Sequence, residues 1–156
     1  MAKSEGNIPT CKSTGCGWKC CEFQQGNYIV TYPSELDAAR RAGVSTSHLK
    51  VIDPDYQGGE KVVCEAKDTA SCDGGLKPFD CKAYPFFPVD DAGELFIKGE
   101  KCPLQTVHLG AHADSVRATW QEILDHTPAA AGWPARIEMV GYTPPFAVAH
   151  ISPKVA

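Results

Sequence analysis

The chain has 156 residues, a formal net charge of −4 and an apolar share of 43%, enough for one domain whose hydrophobic core needs no covalent support. The negative balance argues against nucleic acid, which favours basic patches. No stretch offers the ~20 apolar residues that span a bilayer, so no membrane partner is expected. The opening Met1-Ala2-Lys3-Ser4-Glu5-Gly6-Asn7 carries no apolar signal segment, and the expectation is a soluble, cytoplasmic protein.

Residues 1–9 read as a flexible lead-in and 10–22 as a glycine-containing loop with four cysteines. Tyr28–Tyr32, rich in β-branched and aromatic side chains, predicts a short strand. Ser34 then fits a helix N-cap, with Glu35 and Asp37 in the first turn and Gly43 just past the end. That helix turns Leu36, Ala39 and Ala38 inward. From Val44 to Gly59 the chain reads as irregular, with turns at Asp53-Pro54 and Gly58-Gly59. Lys61–Glu65 predicts a strand containing Cys64.

Phe86–Ile97 reads as a hairpin turned by Asp90-Asp91-Ala92-Gly93, with Leu95 and Ile97 on one face. The clearest helix runs from Ala111 to Asp125, where Ala113, Val116, Trp120, Ile123 and Leu124 follow helical spacing and Pro128 stops the run. Arg136–Tyr142 predicts a further strand. These elements describe an α+β fold: a small, irregular, metal-stabilised single domain with short strands, a hairpin and two helices. Its cysteine-cluster domain covers 10–142, and 143–156 forms an extended C-terminal tail.

The eight cysteines fall into two groups. The first is Cys11-x4-Cys16-x3-Cys20-Cys21, where a short loop can fold several thiolates onto one metal ion. Gly15 and Gly17 give that loop backbone freedom. The second is Cys64, Cys72, Cys81 and Cys102, each placed near a strand end or a turn. The count fits two four-thiolate sites, or one site with four cysteines to spare. Four disulfides are the competing account. Chain length, the missing signal segment and the strain of bridging adjacent Cys20 and Cys21 weigh against it. Lys12, Lys19, Lys82 and Lys101 each adjoin a cysteine, and Lys61 and Lys67 lie three residues from Cys64. Such ammonium groups would offset the negative charge of a metal–thiolate centre.

This order of elements resembles the YkgJ-like cysteine-cluster family, whose members are described as zinc- or iron-chelating domains. The matching residues are Cys11, Cys16 and the Cys20-Cys21 pair, then Cys64, Cys72, the run Cys81-Lys82-Ala83-Tyr84-Pro85-Phe86, and Cys102-Pro103. The resemblance covers about residues 10–105. The opening spacings are longer than the family's usual gaps, and Lys77-Pro78-Phe79-Asp80 stands where the family often has Arg-Pro. It implies metal chelation by these eight cysteines. Some relatives of the pattern occur beside lysine methylation of flagellin, which keeps an iron–sulfur centre with a redox or accessory role in protein modification as the alternative.

All-sulfur ligation suits zinc and a 4Fe–4S or other iron–sulfur cluster alike. The spacings match no familiar ferredoxin run, so Zn2+ is the favoured ion and a protein partner the expected target. His108-x3-His112 has the i, i+4 spacing of paired imidazole ligands, but no glutamate lies between them to act as the base of a zinc hydrolase. Enzyme activity therefore ranks last, and no catalytic residue is assigned. Trp18, Tyr84, Phe86 and Phe87 read first as core anchors that can also shield a metal.

Overall fold

In the computed structural model, residues 28–68, 72–100, 109–139 and 141–150 are described. The fold is α+β, and two three-stranded antiparallel sheets carry it. The first is ordered β1-β3-β2, from β1 (Ile29–Thr31), β2 (Leu49–Tyr56) and β3 (Gly59–Cys64). Helix α1 (Glu35–Arg41) joins β1 to β2, and the short α2 (Phe79–Ala83) follows β3. The second sheet is ordered β4-β5-β6, from β4 (Phe86–Pro88), β5 (Leu95–Lys98) and β6 (Phe146–Ala147), with the long α3 (Gly110–His126) before β6. Among the described residues no helix is long and apolar enough to cross a membrane.

The irregular stretch expected over Val44–Gly59 is instead largely strand. Pro54 is tolerated because β2 is an edge strand, where a missing N–H breaks no ladder, and because its register shifts on both sides of Asp53. Gln57 and Gly58, with φ of 54° and 90°, turn the chain directly into β3. At Gly59 the backbone of β1 comes so close that an added Cβ would lie 1.9 Å from the Thr31 carbonyl oxygen.

Ser34 does precede α1, but it sits at φ 74° and makes no side-chain capping bond. Glu35, the first residue of the helix, reaches back instead to the Tyr32 amide just ahead of it. Leu36 and Ala39 are buried as expected, whereas Ala38 is exposed. The Phe86–Ile97 hairpin forms, with Phe96 fully buried, Ile97 buried and Leu95 exposed. The strand expected over Arg136–Tyr142 is replaced by a 3-10 turn at Pro134–Arg136 and an isolated bridge from Tyr142 to Gly99. Pro134 fixes the start of that turn. The third helix, α2, was not among the two expected. The tail stretch supplies β6, and Val148 after it is buried.

The larger of two cores is aromatic. Ala113, Val116 and Trp120 of α3 face Phe79, Phe87 and Trp133, with Trp120 stacked on Phe79 at 5.5 Å and Trp133 edge-on to Phe87 at 5.5 Å. The smaller core joins Ile29, Leu36, Leu49 and Val62. Successive strand residues face opposite ways, so β1 serves both cores: Ile29 enters the small one and Val30 the large one.

Candidate metal centre

Three of the eight candidate ligands lie within the described residues, and the fold gives each a distinct support. Cys64 closes β3 and, two residues from Val62, shares its face of the sheet. Opposite it stands Leu49, and opposite Val62 stands Ile29. Cys81 lies in the middle of α2 rather than at a turn, and its side chain packs against the same Ile29, Leu36, Leu49 and Val62 cluster as Cys64. Strand and helix thus bring two thiols to one small apolar surface.

The helix carrying Cys81 is pinned by two buried carboxyls. Glu35 accepts the amide of Phe79, the first residue of α2, at 2.7 Å and that of Tyr32 at 3.2 Å. Asp80 accepts the Val30 amide at 2.9 Å and a hydrogen bond from the Tyr142 hydroxyl. β1 pairs with β3 on one side only, so Asp80 covers an amide on its other edge. Burial pushes the Glu35 carboxyl up to about 8, against the pull of its two amide donors. Asp80 is likewise pushed up to about 7 by burial, opposed by Val30 and Tyr142.

Cys72 is buried in a turn of unusual hand. Cys72, Asp73 and Gly74 all have φ between 53° and 77°, a conformation that costs energy for the two non-glycine residues. Asp73 makes this turn a clasp, because its carboxylate accepts the amides of Lys67 at 3.0 Å and Asp68 at 2.7 Å. Those amides also hold its carboxyl below the ordinary range. The clasp closes the loop that starts at Cys64. Within it, the Ala66 amide points at the Cys64 sulfur at 3.5 Å, a contact that favours thiolate over thiol. The buried His48 accompanies the same segment: its Nε2 bonds the Leu76 carbonyl at 2.8 Å, and its own carbonyl accepts the Glu65 amide at 2.7 Å.

The donor chemistry of Cys64, Cys72 and Cys81 fits a soft metal ion. Among the described residues, however, no three Cys, His, Asp or Glu side chains gather into a metal shell. Cys11, Cys16, Cys20, Cys21 and Cys102 lie outside the described residues, as do His108, Lys12, Lys19 and Lys101. Lys61 does not serve the charge role expected of it. It points to the face opposite Cys64, with its Nζ 4.5 Å and 4.4 Å above the rings of Tyr28 and Tyr56.

His112 is fixed by backbone. Its Nε2 lies 3.0 Å and 3.1 Å from the Ala83 and Tyr84 carbonyl oxygens, which only accept, so Nε2 carries the proton. Burial holds its pKa below the ordinary value, and the ring stacks on Phe86. The nitrogen that faces α2 is therefore committed to the end of that helix.

No family model, no curated protein and no solved structure matches the chain. Sequence reasoning missed Glu35, Asp80 and His48 as buried polar residues. For Glu35 a signal exists, since it precedes Leu36 and lies four residues before Ala39 on the inward side of α1. Asp80 and His48 are recognisable only once α2 and β2 are known.

Proposed function

We propose that the protein binds a metal ion through cysteine thiolates, with Zn2+ as the ion, and that it works as a soluble cytoplasmic protein of the YkgJ-like cysteine-cluster kind. Cys64, Cys72 and Cys81 form the part of the centre that strand, turn and helix supply. Cys11, Cys16, Cys20, Cys21 and Cys102 complete it. The observation that carries this reading is the packing of Cys64 and Cys81, from β3 and α2, on one small apolar cluster, with the Ala66 amide directed at the Cys64 sulfur.

Zinc in an all-thiolate shell acts as a crosslink and supplies no open position for catalysis. Its role here is to hold the loops around β3 and α2 in the shape that a protein partner recognises. The test is elemental analysis with a visible spectrum on protein purified anaerobically from its native source. Stoichiometric zinc in colourless protein, reduced in Cys64→Ser and Cys81→Ser, supports the reading. Brown protein with broad visible absorption replaces zinc by an iron–sulfur cluster and a redox or accessory role. Metal-free protein with its cysteines paired in disulfides overturns both.

A further inference from the structure

A cleft of about 350 Å3 opens between α1, α2 and α3, within the range of about 300–1,000 Å3 common to small-molecule sites. None of its lining residues is a cysteine, so it stands apart from the metal reading. Ala39, Val44, Leu76, Phe79 and Ile123 give it an apolar wall. A buried polar group also lines it, the carboxyl of Glu35, only 5% exposed. Among the described residues this carboxyl has two hydrogen-bond partners, the Phe79 amide 2.7 Å from Oε2 and the Tyr32 amide 3.2 Å from Oε1. Both are donors. Burial keeps Glu35 protonated below about pH 8, so near neutrality it also carries a hydroxyl hydrogen that neither amide can accept. The shorter bond suits the carbonyl oxygen, and the longer one suits Oε1 as the hydroxyl. A buried donor without an acceptor costs free energy that an acceptor placed in the cleft recovers.

We propose that this cleft binds a small uncharged molecule with an apolar body and a carbonyl oxygen, of the chemical class of an aliphatic ketone, with Glu35 as its hydrogen-bond donor. The body lies on Ala39, Val44 and Ile123, and the carbonyl oxygen takes the Glu35 hydroxyl hydrogen. Glu35, held in place by two amides, presents that hydrogen without moving. The neighbouring charges do not call for a charged ligand. Lys77 already has a partner, Lys82 lies near enough to Glu35 to pull on its pKa, and Glu122 is exposed to water. A carboxylate or ammonium would give up its hydration to an apolar wall and gain little from charges that water already screens.

The test compares 2-hexanone with hexanoate and hexane by calorimetric titration and methyl-shift mapping at about pH 6 on the full, metal-loaded chain. 2-Hexanone should bind about fivefold more tightly than either, the worth of one hydrogen bond, with shifts centred on Ala39, Val44 and Ile123. Its affinity should fall about fivefold between about pH 7 and pH 9, because ionised Glu35 has no hydrogen to donate. Asp80 and Lys82 of α2 and Tyr32 ahead of α1 also face Glu35, and Lys77, Glu122 and His126 share the cleft. Glu35→Gln separates Glu35 from all of them. Its carboxamide keeps an N–H donor and cannot ionise, so its affinity for 2-hexanone should stay level over the same pH range. Ala38→Trp, on the exposed rim of α1, should abolish binding while leaving metal content and helix signal intact. Equal affinity for the three compounds, no saturable binding of 2-hexanone, or one pH profile shared by the parent and Glu35→Gln overturns the proposal.

Discussion

Replacing Glu35 by glutamine isolates the energetic consequence of a carboxyl buried at the start of α2. In the unfolded chain this group releases its proton near 4.5, whereas in the folded protein it does so at about 8. Between those values the folded state holds a proton that the unfolded state has lost. Stability therefore falls as pH rises through this window, by about 1.4 kcal/mol per pH step for one group. The accumulated loss from Glu35 reaches about 5 kcal/mol above pH 8, a large share of the ~5–15 kcal/mol that holds a domain together. Asp80 acts in the same direction between 3.8 and about 7. Glutamine cannot ionise, but it offers one oxygen to two amides, and the orphaned amide costs about 1–3 kcal/mol. Glu35→Gln should thus be less stable than the parent below about pH 5, draw level between about pH 5 and pH 7 and exceed it at higher pH. Urea denaturation midpoints across this range, at fixed metal content, measure the crossing. Thiolate–metal binding strengthens with pH and opposes the trend, but it is common to both proteins and cancels in their difference. Two curves that stay parallel from about pH 5 to pH 8 would refute the reasoning, because the carboxyl would then not titrate between the folded and unfolded values given above.

Gly59→Ala should prevent β1 from pairing with β3, because the added methyl would meet the Thr31 carbonyl at 1.9 Å; a cooperative thermal transition at the parent's Tm would contradict this. His112→Phe keeps the stack on Phe86 but loses the donor to the Ala83 and Tyr84 carbonyls, and should cost about 1–3 kcal/mol by chemical denaturation. Its metal content should equal the parent's, and a drop in bound metal with the fold intact would make His112 a ligand. Removing bound metal with a chelator should raise hydrogen exchange in β1–β3 and α2 while α3 stays protected. Uniform loss of protection would mean that the aromatic core also depends on the metal.

Where local pattern and tertiary packing agree, the elements were legible. Tyr28–Tyr32, the Phe86–Ile97 hairpin and the helix through Val116 and Trp120 all announce their period and their boundaries, and each forms within a residue or two of its expected span. β2 was hidden because Pro54 and the acidic residues around it read as a turn, and only its place on a sheet edge makes them compatible with a strand. α2 was hidden for a different reason. Five residues are too few to show a helical period, and this helix exists because Glu35 and Asp80 tie its first turn to α1 and β1. The candidate site shares that limitation: Cys64 was placed correctly on a strand, but the approach of Cys81 depends on two buried carboxyls whose partners lie 44 and 50 residues away.

The division into two cores gives the metal reading its physical content. The aromatic core contains the fully buried Trp120 and Trp133 with Phe79, Phe86, Phe87 and Phe96, and α3 alone spans 17 residues along it. The first sheet has far less to hold it. Strands of three, eight and six residues share a cluster of four buried apolar side chains, and β2 carries Val51 and Ile52 exposed on its outer run. Ordering that much backbone against so little apolar burial requires other ties. The carboxyls of Glu35 and Asp80 are two of them, and both become less favourable as pH rises and they ionise. A metal held by Cys64 and Cys81 would tie the same strand end to the same helix with the opposite pH dependence, because thiolates bind more tightly as protons leave. On the proposed reading the carboxyl pair and the metal are complementary supports of one junction. Stripping the metal should then be most damaging at alkaline pH, where the buried acids no longer help.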